Sequence, residues 1–260
     1  MLSYGLHLSA SGALTSMFRQ DVITNNLANA DTPGFKPDLA LQIARDPARI
    51  EDSLPGVPSH DLLEMLGGGT HLLPNIVSHA QGSLDQTGRP LDVAIQGRGF
   101  LTARDNSDPS GSAIRLTRDG RLTARDDGTL VLASSGLPVL NDRGGTITIP
   151  PGPEPSISAD GTIHQQGVAI ARLGLVDLGD RSQLTKIGGG LFAVSAAAAD
   201  GLRPATGRIE AGFLEAAGID EIDAMMDVSA ASRAVQANLA MITYHDRTME
   251  QAVRTLGRVA

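Results

Sequence analysis

The sequence predicts an α+β fold in which long helices at both ends of the chain flank a central antiparallel β domain. Three observations predict it. No Gly or Pro interrupts residues 219–256. Apolar residues recur every three or four positions there and in residues 2–28. In the middle of the chain their period changes to two. The two helices are therefore predicted to pair as a coiled-coil-like domain.

The same patterns divide the 260 residues into four predicted segments. Residues 1–36 and 215–260 are expected to form the two halves of a helical domain. Residues 81–214 are expected to form the β domain, of sandwich or partly open barrel type. Residues 37–80, rich in Pro and Gly, are expected to be an irregular or extended linker with a short helix at residues 60–66.

The predicted C-terminal helix would extend about 57 Å at about 1.5 Å per residue, too long for an ordinary globular domain. It starts with acidic residues, which suit the helix dipole, and then carries a single charge, Arg233, before Asp246. Its apolar residues are predicted to form an assembly seam: Ile222, Met225, Val235, Leu239, Ile242, Met249 and Val253.

The predicted N-terminal helix contributes Leu6, Ala13, Met17 and Leu27 to the same seam. Its only charged residues are Arg19 and Asp21. One interpretation is an antiparallel helix pair that closes the core of a monomer. Self-assembly explains the pattern better, because helices with almost no charged face need more neighbours than one chain supplies.

Between the helices, Leu91, Val93 and Ile95 alternate as in a half-buried strand, and residues 168–176 are predicted to form one longer strand. Asp-Gly dipeptides at residues 119–120, 127–128 and 160–161 predict tight turns.

Composition excludes several functions. The net charge of −8 provides no basic stripe for nucleic acid. Without Cys there is no disulfide framework, and no apolar run is long enough to insert in a membrane. The first residues lack the basic start and apolar run of a secretory signal, so synthesis in the cytoplasm is expected, and any export would use a route without a cleavable signal peptide.

Catalytic chemistry is not predicted. The histidines lack metal-ligand spacing, and His71 and His79 are expected to be solvated. No phosphate-binding loop or nucleophile elbow is present. An enzyme would need Asp92, Asp119 and His164 to converge in one pocket. We therefore expect no catalytic residue, cofactor or bound metal.

A resemblance adds to these predictions. The N-terminal helix ends in a motif that is similar to that of bacterial flagellar basal-body rod and hook proteins, and residues 82–100, 116–120, 127–131, 184–188, 212–215 and 233–238 also resemble that family, in order. The motif residues are Asn25, Asn26, Leu27, Asn29, Thr32, Gly34 and Phe35.

The resemblance implies a structural subunit of the periplasmic rod of the flagellar basal body, whose terminal helices polymerise into an axial tube that transmits torque from motor to hook. Its partners would be copies of itself, other rod and hook proteins, the flagellar type III export apparatus and ring proteins around the rod. Residues 223–227 favour the F-type proximal rod protein, residues 236–238 favour the G-type distal one, and the F-type is preferred.

Two points stay open at this level. Where the family usually has Ser-Asn-Val after the Leu-Glu, this chain has Ala216, Ala217, Gly218 and Ile219, so a good helix cap is expected to be missing. A secreted β-rich binding module, dimerised by its helices, is the alternative function. It explains the strands but not the charge-poor termini.

Overall fold

The fold is α+β, as predicted. The computed structural model describes residues 2–46, 67–105 and 113–256. An N-terminal helix and a C-terminal helix pack against each other, and the strands of the central region pair antiparallel. The chain divides into two compact units, which are described separately. Of the described residues, the helical unit contains 2–28, 38–46, 67–76 and 220–256, and the β unit contains 29–37, 77–105 and 113–219. The four segment boundaries predicted from the sequence stay a prediction.

Two long helices dominate the helical unit. Helix α1 is Leu2–Ala28 and helix α3 is Glu221–Leu256, 27 and 36 residues long. The expectation that α3 lacks a good cap is wrong. The Asp220 carboxylate accepts hydrogen bonds from the backbone N–H groups of Ile222 and Asp223, at 2.9 and 3.1 Å. Asp220 thereby satisfies two of the amides that a helix start leaves without intrahelical partners.

Short strands accompany the helices. They include β1 (Asp38–Leu39), β2 (Gln42–Arg45) and β3 (Gly69–Leu72), and β2 and β3 pair antiparallel with Gln42 opposite Leu72. Helix α1 packs on β3, where the Ser11 hydroxyl donates to the Thr70 carbonyl at 2.9 Å. The helix predicted at residues 60–66 lies outside the described residues.

The central region contains the remaining strands and one short helix, α2 (Ala196–Ala199). The strands are β4 (Ile76–Val77), β5 (Leu84–Gln86), β6 (Val93–Gln96), β7 (Phe100–Asp105), β8 (Ala113–Thr117), β9 (Leu122–Ala124), β10 (Leu130–Leu132), β11 (Ser156–Ile157), β12 (Thr162–Gln165), β13 (Val168–Arg172), β14 (Leu175–Leu178), β15 (Leu184–Gly188), β16 (Leu191–Val194), β17 (Leu202–Pro204), β18 (Arg208–Ala211) and β19 (Phe213–Glu215).

The largest described sheet of the β unit has six strands in the order β15-β16-β8-β7-β14-β17. The long strand predicted at residues 168–176 is wrong, because β13 and β14 belong to different sheets. The break falls at Leu173 and Gly174. A Cβ on Gly174 would lie 2.6 Å from Oγ1 of Thr102 and 2.7 Å from the Asn141 carbonyl oxygen, so neighbouring segments approach the backbone at this point.

The core of the β unit has a main cluster of aliphatic side chains and a smaller one around Phe100 and Phe192. His79 packs on both rings of the smaller cluster, with centroid distances of 5.8 and 5.7 Å. The prediction that His79 is solvated is therefore wrong, whereas His71 is exposed on β3 as expected. This environment disfavours the protonated form of the His79 side chain. Burial, together with nearby Arg181 and Lys36, lowers the pKa of His79 to about 4.

Candidate functional site

The contact between the terminal helices is built on a seven-residue repeat in α3. Most of its buried and half-buried residues are spaced alternately by four and three positions. This is the spacing that keeps one face of a helix against a partner helix. The residues are Ala224, Val228, Ala231, Val235, Asn238, Ile242, His245, Met249 and Ala252; we call them the inner face of α3.

Two glycines of α1 lie in close contact with side chains of α3. A Cβ on Gly5 would lie 2.7 Å from Cε1 of His245, and a Cβ on Gly12 would lie 2.8 Å from Oδ1 of Asn238. The two pairs are seven residues apart in each helix and run in opposite directions. These four residues are not among the seam residues predicted from the sequence. The available signal was the spacing of these glycines, seven residues apart in a helix that otherwise lacks Gly. Gly inside a helix costs about 1 kcal/mol relative to Ala, so two such glycines indicate a close packing contact.

The predicted seam residues divide between two faces of α3. Val235, Ile242 and Met249 belong to the inner face. Met225, Leu239 and Val253 lie one position beyond inner-face residues, fourteen residues apart, and are 58, 49 and 70 % exposed. These three, with the exposed Ile222, form what we call the outer line of α3.

Helix α1 is divided in a similar way. Ala13 is buried, Leu6 and Leu27 are half-buried, and Met17 is exposed beside the exposed Leu14. Helix α1 thus carries apolar surface that neither α3 nor β3 covers. Arg19 forms an exposed ion pair with Asp227 of α3 at 3.4 Å, of a kind that contributes little to stability.

Residues of the motif at the end of α1 form hydrogen bonds and close backbone contacts with nearby segments. Asn26 is buried, and its side-chain amide exchanges two hydrogen bonds with the backbone of Asp38, at 2.8 and 3.0 Å. The Asn29 carbonyl accepts from the Thr32 N–H at 3.0 Å. Gly34 has a φ of +69°, and a Cβ there would lie 2.3 Å from the Arg118 carbonyl carbon, so only glycine fits. Asn25 is exposed and Phe35 is buried.

Three motif segments each supply one charged residue to a buried group in the β unit. Lys36, Arg118 and Glu215 have side chains that are 1, 3 and 0 % exposed. Lys36 Nζ and Arg118 Nη1 donate to the two carboxylate oxygens of Glu215, at 2.6 and 3.0 Å. We call these three residues the Glu215 cluster. No pattern in the sequence predicted that these three residues lie together. The available signal was their location: Lys36 directly follows the motif at the end of α1, and Arg118 and Glu215 lie in the family-like segments 116–120 and 212–215.

Burial is the main influence on the two cations of the Glu215 cluster. It lowers the pKa of Lys36 and of Arg118, and the neighbouring Glu215 carboxylate opposes the shift in both. Two basic side chains therefore contact one buried carboxylate.

Of the acidic residues considered for catalysis, Asp119 pairs with a neighbouring arginine, whereas the buried Oδ1 of Asp92 has no hydrogen-bond partner within the described part of the chain. Asp119 binds Arg121 through an ion pair at 2.9 Å, and Asp92 lies opposite Arg121 in an isolated bridge. His164 lies in β12, opposite Ser156 of β11. Among the described residues, no group of His, Cys, Asp and Glu could hold a metal ion. None of the described helices is both long and apolar enough to cross a bilayer.

Comparisons with known proteins identify the family. Residues 9–36 match the profile "Flagella basal body rod protein", and residues 94–167 match "Flagellar hook protein FlgE/F/G D1 domain". The chain is 30 % identical to the flagellar basal-body rod protein FlgF of Caulobacter vibrioides, over 98 % of both chains. It is 31 % identical to FlgG of Bacillus subtilis, over 95 % of this chain and 97 % of that protein. It is 30 % identical to FlgF of Salmonella typhimurium, over 98 % of this chain and 99 % of that protein.

These similarities confirm the resemblance found in the sequence and give no support to a secreted binding module. The relatives are structural rod proteins, so the prediction that this chain is not an enzyme is confirmed. The family belongs to the basal body of the flagellum and assembles with other rod and hook components. The chain is a member of the flagellar basal-body rod protein family.

Proposed function

We propose that this protein polymerises through its terminal helices into the axial tube of the rod, and so transmits torque from motor to hook. The observation that carries the proposal is the outer line of α3, where Met225, Leu239 and Val253 remain exposed after α3 has packed on α1. Apolar side chains aligned on one face of a helix gain free energy when another surface covers them, about 25 cal/mol for each Å² removed from water.

The opposite side of α3 differs from the outer line. Arg233, Ala240, Arg247 and Arg254 recur every seven residues and are exposed. The outer line also holds Asp246, and this arginine line also holds the exposed Met226. With one charge against three, the outer line is the less charged of the two and the better surface for an apolar contact. Within the chain, we propose that α1 and α3 pair in a coiled-coil-like manner, supported by the seven-residue spacing of the Gly5–His245 and Gly12–Asn238 contacts. Leu6, Ala13, Met17 and Leu27 would complete the seam on α1.

Within the family we propose the F-type, the proximal rod. The acidic and Met-containing residues 223–227 favour it, and several FlgF proteins match over nearly their whole length. The match to FlgG of Bacillus subtilis is of similar quality. Crosslinks from this chain to its axial neighbours in purified basal bodies would separate the two positions. We further propose export through the flagellar type III apparatus and contact with the ring proteins around the rod.

Electron microscopy of the concentrated full-length protein tests polymerisation. The wild type should form filaments or tubes, and Leu239→Asp should remain monomeric because it places a charge on the apolar outer line. Its melting temperature should be unchanged, since Leu239 is 49 % exposed within the chain. Ala240→Asp is the matched control: it adds the same charge one residue later, on the arginine line, and should polymerise.

Two results would contradict the proposal. One is a wild type that stays monomeric or dimeric at every concentration. The other is a Leu239→Asp strain that swims normally, since the rod would then tolerate a charge in the proposed contact.

A further inference from the structure

We propose that the Glu215 cluster fixes the position of two chain segments: residues 29–37, which follow α1 in the sequence, and residues 215–219, which precede α3. We call this arrangement the ionic lock. The three residues lie within the β unit, and an effect of the ionic lock on polymerisation rests on the proposed function. None of the three charged side chains is at the surface. They would therefore act through the segments that they hold and not by touching a partner.

The Glu215 carboxylate connects three parts of the chain. Oε1 accepts from Lys36 Nζ at 2.6 Å and from the Gly82 backbone N–H at 3.0 Å, and Oε2 accepts from Arg118 Nη1 at 3.0 Å. Lys36 Nζ also donates to the Ala80 carbonyl at 2.6 Å. The Glu215 and Lys36 side chains thus connect the strand that precedes α3 with the segment after α1, the segment that enters the β unit at residues 77–82, and the segment of Arg118.

Backbone hydrogen bonds bring the same segments together. The Gly34 N–H donates to the Glu215 carbonyl at 2.7 Å, and the Ala216 N–H donates to the Ser83 carbonyl at 2.8 Å. A Cβ on Gly82 would lie 2.1 Å from the Ala216 carbonyl oxygen, so the chain there has no room for a side chain. Residues around Gly34, Gly82 and Glu215 are therefore in direct van der Waals or hydrogen-bond contact.

Both lysines of the chain act on residues 35–36. Lys36 points inward to Glu215, while Lys186 Nζ donates to the Lys36 carbonyl at 2.8 Å and lies 3.8 Å from the centroid of the Phe35 ring. Residues 29–37 contain no helix or strand. Their position therefore depends on side-chain contacts and a few backbone hydrogen bonds, with no ladder of paired strands.

Energetics favour a positioning role over a purely stabilising one. Removing charged groups from water offsets much of their mutual attraction, so a well-packed apolar group is often as stable as a buried ion pair. An apolar group, however, does not require a single geometry. Charge-assisted hydrogen bonds to both carboxylate oxygens do. The cluster therefore fixes where residues 29–37 lie more than how strongly the β unit folds.

Hydrogen exchange of the full-length monomer in Lys36→Met tests the lock. This variant leaves the Glu215–Arg118 pair in place, so the β unit should fold. We expect exchange at the Gly34 amide to rise at least tenfold, with no change in β7 and β8. Arg254→Met is the control, because it breaks the exposed Arg254–Glu250 pair on α3 and should leave Gly34 unchanged.

Two results would overturn the lock. Wild-type exchange at Gly34 in Lys36→Met would show that the segment is held without it. An equal rise in β7 and β8 would show a general loss of stability. Polymer formation is measured separately: a wild type that does not polymerise contradicts the proposed function, while the exchange pattern still decides the lock.

Discussion

Gly12 of α1 lies directly against Asn238 of α3, so close that a Cβ on Gly12 would lie 2.8 Å from Oδ1 of Asn238. The Asn238 amide nitrogen is held by the Ala234 carbonyl at 2.9 Å, which restricts its movement away from α1. A close contact between the two helices is thus made by a glycine and a polar side chain.

Gly12→Ala should lower the free energy of unfolding of the helical unit by about 1–3 kcal/mol, because the added methyl group overpacks the contact. The double variant Gly12→Ala with Asn238→Ala should recover most of this loss, since it removes the opposing side chain. Thermal unfolding followed by far-UV circular dichroism measures both. If Gly12→Ala instead stabilises the protein, as helix propensity alone predicts, the close contact is absent.

Asp220→Ala should fray the first turn of α3 and cost about 1 kcal/mol, because two amides lose their acceptor. Exchange rates at the Ile222 and Asp223 amides report this directly. Asp220→Ser retains an acceptor oxygen and should behave like the wild type. Equal exchange in all three proteins would mean that the cap does not hold α3.

Gly120→Ala should destabilise the β unit by on the order of 3 kcal/mol. A Cβ there would lie 1.6 Å from the Val93 carbonyl oxygen. Val93 belongs to the buried strand β6, so this oxygen cannot move away. Gly179→Ala is the matched control, because no atom lies within 4 Å of its Cβ position. Denaturant unfolding compares the two. Similar midpoints would contradict the close approach of the two backbones.

His79 should make the β unit less stable in acid. The folded protein holds the pKa of His79 at about 4, below its ordinary value of 6.5. The unfolded chain therefore binds this proton more readily, and the contribution of His79 to stability is complete above pH 6.5 and is lost as the pH falls toward 4. No other described group donates to or accepts from its Nδ1.

His79→Phe should flatten this pH dependence, because Phe suits the pocket between Phe100 and Phe192 and does not titrate. Melting temperatures between pH 4 and pH 7 measure the effect. His71→Gln, a change at an exposed histidine, should keep the wild-type profile. A His79→Phe protein with the wild-type slope would show that other groups cause the acid sensitivity.

The sequence by itself determined the two long helices, the change to strands between them and the family. Helix α1 begins and ends at the predicted residues, and α3 begins two residues later than predicted. These features depend on local patterns: the absence of Gly and Pro, the apolar period and the motif after α1. Such patterns persist along a contiguous segment, so they can be read without knowing the partner of each residue.

Tertiary structure decided which residues meet. The seam residues divide into an inner face and an outer line because α3 turns only some of them toward α1. Residues 168–176 split into two strands because Gly174 lies against Thr102 and Asn141. Lys36, Arg118 and Glu215 converge from positions up to 179 residues apart. Each outcome depends on contacts between distant segments, and a local pattern carries no information about which distant segment will supply the contact.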